Sequence, residues 1–224
     1  NTLGEFAIDT GIEENILVIG DSSGKSTLLR NMIHRISEGI PPSDAKLLVI
    51  DYRRQLLGEC PATHLAGYAS TKQDVQEFIS QLVPLLESRM PAGVDDPQTL
   101  RDRSWWKGPD IFLVVDDYDL VATSSGNPLQ GLLELLPYGR DIGLHMVVAR
   151  RCTGFSRTSF EPIMARLREL HPTIFLMSGT AEEGIIAGGR KARSLSKGRA
   201  DVISNQGTHQ VVQFAHHVGE EKTE

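Results

Sequence analysis

The sequence has only two cysteines, Cys60 and Cys152, in 224 residues, far apart and in no ligand spacing. A disulfide framework and a structural zinc site are not indicated, and the usage fits a reducing compartment. Aromatic residues make up only 6% of the chain, and the 23 lysines and arginines fall short of the 29 acidic residues, for a formal net charge of -6. That balance argues against a dominant nucleic-acid-binding surface, which needs a basic face. No apolar run approaches the roughly 18 to 20 residues needed to span a bilayer, and Asn1-Thr2-Leu3-Gly4-Glu5 carries no basic-then-apolar signal pattern. Direct membrane insertion is therefore not expected. The chain begins without Met, so the expectation is a single domain over 1–224, excised from a longer multi-domain protein.

A hydrophobic content of 40% suffices for one substantial core. Short runs rich in Val, Ile and Leu at 16–19, 46–51, 111–115, 144–149 and 173–177 read as buried strands. Between them, 26–37, 71–90, 129–136 and 161–170 have helical spacing; in the second, Val75, Phe78, Ile79, Leu82 and Leu86 share one face, with Ser70-Thr71 as its cap. The alternation predicts an α/β fold, a mostly parallel sheet flanked by helices. A Gly/Pro/Asp-punctuated insertion at 91–109 carries Trp105-Trp106, expected to plug the domain surface or else to line a partner interface. The tail changes character: a basic run at 190–199 reads as a solvated loop, or else as a contact for a neighbouring domain's nucleotide or an acidic substrate tail, then β-like segments at 200–204 and 209–215 predict a C-terminal β-hairpin turning at Asn205-Gln206-Gly207, with 219–224 frayed.

Gly20-Asp21-Ser22-Ser23-Gly24-Lys25-Ser26-Thr27 follows the first strand and opens the first helix, the context of a phosphate-binding loop. In such a loop successive backbone N–H groups curl around phosphate, the helix N-terminus adds its dipole, the lysine reaches the β- and γ-phosphates and the serine hydroxyl ligates Mg²⁺. ATP and Mg²⁺ are the expected ligands. Against the pattern G-x-x-x-x-G-K-[ST] the loop is one residue short, since Asp21, Ser22 and Ser23 alone separate Gly20 from Gly24-Lys25. A shorter curl loses one donor and tightens the bend. The partner half-motif is Ile111-Phe112-Leu113-Val114-Val115-Asp116-Asp117-Tyr118-Asp119, a buried strand ending in carboxylates. Asp116 is the expected Mg²⁺-site residue and Asp117 the catalytic, water-activating carboxylate, one methylene shorter than a glutamate. Arg150 and Arg151, after the 144–149 strand, are candidate sensors of the γ-phosphate or else salt-bridged, solvent-facing groups.

These motifs, together with Gly139-Arg140-Asp141-Ile142-Gly143-Leu144-His145-Met146-Val147-Val148-Ala149, Pro172-Thr173-Ile174-Phe175-Leu176 and Gly184-Ile185-Ile186-Ala187-Gly188-Gly189, resemble the FtsK/SpoIIIE branch of RecA-like P-loop motor ATPases over nearly the whole chain. Trp105-Trp106-Lys107-Gly108-Pro109-Asp110 leading into Val114–Val121 is similar to the last ATPase domain of the EccC component of type VII (ESX) secretion systems. The resemblance implies a cytoplasmic module of a membrane-complexed ATPase that binds ATP and Mg²⁺, works beside sibling ATPase domains, and recognises secreted helical-hairpin proteins of the ESAT-6/CFP-10 kind. It also marks departures. DNA-translocating relatives carry arginine after the Pro-Thr pair, where this chain has Ile174. With the short loop and the Asp at 117, this points to ATP binding with weak or no hydrolysis in isolation. The competing readings are a degenerate substrate-docking domain that no longer binds nucleotide, and a DNA translocase, which the acidic charge opposes.

Overall fold

The computed structural model describes residues 15–93, 96–158, 160–205 and 207–214. The N-terminal segment, the Gln206 of the expected turn, Ala215 and the expected frayed end at 219–224 lie outside the described residues. In chain order the elements are β1 (Asn15–Ile19), α1 (Lys25–Gly39), β2 (Ala45–Ile50), β3 (Leu65–Ala69), α2 (Lys72–Glu87), α3 (Pro97–Asp102), β4 (Asp110–Val115), α4 (Tyr118–Val121), α5 (Gly139–Ile142), β5 (Leu144–Arg150), α6 (Phe155–Thr158), α7 (Pro162–Glu169), β6 (Thr173–Leu176), β7 (Ile185–Ala187), β8 (Arg190–Lys191), β9 (Arg199–Ile203) and β10 (His209–Gln213).

Eight strands form one sheet in the order β10-β9-β6-β1-β5-β4-β2-β3. From β6 to β3 every pairing is parallel, while β9 runs antiparallel to both β6 and β10. The five expected strands are thus present, and β9–β10 is the expected hairpin. Because both faces of a parallel sheet are covered, alternate residues of β1 enter two different cores: Leu17 and Ile19 pack with α2, α7 and their neighbours, and Ile16 and Val18 with α1. α1 supplies Leu28, Leu29, Met32, Ile33 and Ile36 to its side. α2 supplies Val75, Ile79, Leu82 and Leu86 to the other, and begins at a capping box in which Thr71 and Asp74 exchange hydrogen bonds with each other's backbone.

Two expectations need correction. The helix expected over 129–136 is a pair of 3₁₀ turns, Pro128–Leu132 and Leu136–Tyr138. Pro137 cannot donate to an α ladder running on from 129–136, and a Cβ at Gly131 would press on Val83 and Ile79 of α2 at 3.2 and 3.3 Å. The basic run is also less free than expected: Arg193 forms a double hydrogen bond with buried Asp201 (2.8 and 2.8 Å), and Arg199 donates to Gln213 at 2.9 Å. β3, not anticipated, is short; its pairing with β2 shifts register just before Gly67, over which the Phe78 ring lies.

The tryptophan pair closes the end of the sheet opposite the phosphate loop. Arg89 lies 4.1 Å over the Trp106 ring and donates to the carbonyls of Ile142 (3.0 Å) and Pro109 (3.1 Å). Trp105 and Trp106 donate their indole N–H groups to the Arg89 and Asp141 carbonyls at 2.7 and 2.8 Å. Asp110, at the start of β4, joins this plug through Arg103 (2.8 Å) and His145 (3.2 Å). Burial alone would raise the Asp110 carboxyl, but the hydrogen bonds and charges of His145 and Arg103 outweigh it and hold the group at about 2. A depressed folded value means stability that is complete above the ordinary carboxylate range and lost as pH falls toward about 2, an effect on the order of 2 kcal/mol. Asp110→Asn is expected to remove this acid-sensitive part. Comparing urea midpoints in mildly acidic buffer and near pH 2 should show a smaller drop in the variant than in the wild type, and equal drops would count against the pairing.

Candidate functional site

The loop 20–24 leaves the carboxyl end of the central strand β1 and is fastened from three distant parts of the chain. Gly20 N–H donates to the Arg150 carbonyl (3.2 Å), Asp21 N–H to the Ser178 carbonyl (2.8 Å), and Gly198 N–H to the Ser23 carbonyl (3.2 Å). A Cβ at Gly20 would sit 2.6 Å from both Met177 Cβ and Ser23 Oγ, so only glycine fits there. Ser22 (φ 47°) and Gly24 (φ 98°) take left-handed backbone angles that curl the loop into α1.

The curl leaves donors unused. Among the described residues, the N–H groups of Ser22, Ser23, Gly24 and Lys25 find no backbone acceptor, and the buried Ser23 hydroxyl has no hydrogen-bond partner. An unpaired buried hydroxyl is costly, and a curl of N–H donors without backbone acceptors at a helix N-terminus matches an oxyanion. The residues therefore fit a phosphate group despite the missing residue.

The acidic strand end meets the loop across the sheet. β5 lies between β1 and β4, and their register brings the carboxyl ends level, with Ile19 opposite Arg150 and Val115 opposite Val148. Ser26 Oγ donates to Asp116 Oδ2 at 2.6 Å, joining residues 90 positions apart. Lys25 Nζ lies 4.0 Å from Asp117 Oδ1. Burial pushes the Asp116 carboxyl up; the Ser26 hydrogen bond opposes this, and the neighbouring Asp117 charge adds to it. A buried carboxylate crowded by like charge beside a serine hydroxyl is a donor set suited to a hard cation such as Mg²⁺. When bound, that cation would neutralise charge on phosphate oxygens.

Of the expected site residues, Gly20, Ser22, Ser23, Gly24, Lys25, Ser26, Asp116 and Asp117 are gathered at this end of the sheet, and Thr27 follows in the first turn of α1. Asp21 belongs to the loop through its backbone only. Its carboxylate turns away and accepts from the N–H groups of Cys152 (3.1 Å) and Thr153 (3.2 Å) and from the Thr153 hydroxyl (2.9 Å). Arg150 is buried, pairs with Asp119 at 3.0 Å and lies 5.0 Å from the Phe155 ring centre; the exposed Arg151 donates its N–H to Asp119 at 2.8 Å. Both arginines thus brace β5 against the acidic segment in this arrangement. Sequence reasoning missed Arg53, whose Nε lies 3.2 Å from Asp117 Oδ2. It follows β2, and only the strand order puts β2 beside β4.

No protein-family model matches the chain. Among curated proteins it is 46% identical over 210 residues to the ESX-4 secretion system protein EccC4 of Mycobacterium tuberculosis, covering 93% of this chain and 17% of that protein. It is 39% identical over 217 residues to the ESX secretion system protein EccC of Thermomonospora curvata, covering 96% of this chain and 16% of that protein. The chain thus spans about a sixth of the length of these relatives. Among solved structures, the cytoplasmic domain of the T. curvata type VII secretion ATPase EccC superposes with a TM-score of 0.91 at 39% identity, over 95% of this chain and 25% of that one. T. curvata EccC (ATPases 2 and 3) in complex with a signal sequence peptide gives the same score and identity over 95% of this chain and 38% of that one.

Proposed function

The chain belongs to the EccC-type ATPase domains of the FtsK/SpoIIIE branch, and from that premise we propose that it is an ATP-binding module of a type VII secretion motor. In this reading it is one domain of a longer ATPase, works on the cytoplasmic side of a membrane secretion complex beside sibling ATPase domains, and helps recognise small helical-hairpin substrates of the ESAT-6/CFP-10 kind. Support for the setting comes from the two EccC relatives, and support for substrate recognition from the signal sequence peptide bound to the T. curvata protein. Among the described residues no helix is long and apolar enough to cross a membrane.

The observation that carries the nucleotide reading is the convergence of Ser26 on Asp116 and Lys25 on Asp117 beside a curl of unpaired N–H donors. Ser22 to Lys25 would hold phosphate oxygens through the backbone, Lys25 would supply charge, and Ser26 with Asp116 would hold Mg²⁺. Turnover in the isolated domain is weak in this reading, because Asp117 is short and Ile174 stands where DNA-translocating relatives place an arginine. The test is equilibrium binding of a fluorescent ATP analogue with Mg²⁺ or with EDTA. The wild type should bind more tightly with Mg²⁺, and Ser26→Ala should lose much of that Mg²⁺ dependence, having kept Asp116 but lost one cation ligand. No binding to the wild type in either buffer would support instead a docking domain without nucleotide, the reading that the short loop favours.

A further inference from the structure

Asp117 is held more firmly than a waiting base needs to be. Its backbone is left-handed (φ 46°, ψ 54°), fixed by its N–H on Asp116 Oδ1 at 2.9 Å and by the Leu120 N–H on its carbonyl at 2.7 Å. Both carboxylate oxygens then face cations: Oδ1 lies 4.0 Å from Lys25 Nζ, and Oδ2 lies 3.2 Å from Arg53 Nε. The Asp117 side chain is only 14% exposed, whereas that of Arg53 is 59% exposed.

The backbone that carries the exposed Arg53 side chain is held in place. β2 pairs with β4 with Ile50 opposite Val115, and Asp116 N–H donates to the Ile50 carbonyl at 2.9 Å, so the chain leaving β2 passes beside the acidic end of β4. The turn that follows is built on buried Asp51. Its carboxylate accepts the Leu56 N–H at 2.6 Å and the Tyr68 hydroxyl at 2.8 Å, and its carbonyl accepts the Arg54 N–H at 3.2 Å. Arg54 itself is left-handed (φ 58°). This fixed turn presents Arg53 to Asp117.

We infer that Arg53 is a positioning residue that latches Asp117, holding its carboxylate on a guanidinium and away from the water it would orient. The inference rests on the nucleotide-binding reading and adds a control to it: turnover is low because the carboxylate is engaged, not only because it is short. Lys25 has a second role, on phosphate, and would leave Asp117 when nucleotide enters. Arg53 has no such call on it and stays. The latch is released by moving Arg53 alone.

Two measurements on the purified chain test this. In the nucleotide-free protein, the ¹⁵N–¹H resonance of Arg53 Nε should be shifted from the free-arginine position, and Asp117→Asn should return it there. In steady-state ATP turnover, Arg53→Ala should exceed the wild type by about threefold or more. Arg53→Lys should fall between them, and the Arg53→Ala/Asp117→Asn double variant should show no gain. An Nε signal that ignores Asp117→Asn, or turnover in Arg53→Ala at or below the wild-type level, overturns the latch. Loss of turnover would instead make Arg53 a charge stabiliser. Failure of wild-type protein to bind Mg-ATP in a parallel titration overturns the nucleotide reading and the latch together, and is distinguished by that titration alone.

Discussion

Replacing Lys25 with alanine is expected to weaken Mg-ATP binding by about 10- to 150-fold, the equivalent of roughly 1.5 to 3 kcal/mol for a lost charged hydrogen bond. The side chain stands at the start of α1, next to the curl of free N–H donors and 4.0 Å from Asp117. It puts a positive charge within reach of a phosphate held by that curl. Its loss leaves the fold intact, because the loop is fastened by the Arg150, Ser178 and Gly198 backbones, none of which involves the lysine. Fluorescence titration with an ATP analogue should therefore show the loss of affinity while the urea midpoint moves little. Affinity within twofold of the wild type would mean that phosphate is not held here.

The largest loss of stability is expected from Phe175→Ala. Phe175 sits in the middle of β6, 2% exposed, with Val18 of β1 on one side and Val202 of β9 on the other. It packs in the core beneath α1, with Leu29, Ile33 and Met177 among the side chains of the same cluster. Truncating a buried phenylalanine costs about 3 to 5 kcal/mol, combining lost transfer energy and an unfilled cavity, against a total stability of about 5 to 15 kcal/mol for a domain. Equilibrium urea unfolding should show this as a lower midpoint with an unchanged slope. Phe175→Leu should recover most of the loss. The damage should also reach the site, since β6 leads directly into Met177 and Ser178, whose backbones hold Ile19 and Asp21.

The layers of the fold were legible because buried parallel strands are written as unbroken apolar runs. Leu113-Val114-Val115 and Met146-Val147-Val148 allow little else, and 71–90 shows its apolar face at helical spacing. The loop at 20–27 and Asp116 stood out for a different reason: their residue types are those that the chemistry of phosphate and a hard cation would ask for, and the fold brings them together. What could not be read was anything that depends on which strands are neighbours. Arg53 gains meaning only when β2 is known to lie beside β4, and Arg150 is recognised as a brace only when Asp119 is seen against it. The Asp21 carboxylate is the sharpest case, because the sequence places it in the loop and the fold turns it toward Thr153. The 3₁₀ turns after Asn127 were missed since Leu129, Leu132 and Leu136 keep a helix-like spacing even where proline breaks the ladder.

The central place of β1 also has a consequence in time. This strand is made well before its two neighbours, β5, which begins at Leu144, and β6, which begins at Thr173. At synthesis rates of about 5 to 20 residues per second, Ile16 to Ile19 wait on the order of 6 to 25 seconds for a first partner. During that interval the emerging polypeptide carries an unpaired apolar strand, and the segments that will fasten the phosphate loop do not yet exist. Assembly of the candidate phosphate site is thus a late event within the domain, completed only when Gly198 has been made, whereas β1 needs shelter only until β5 and β6 flank it.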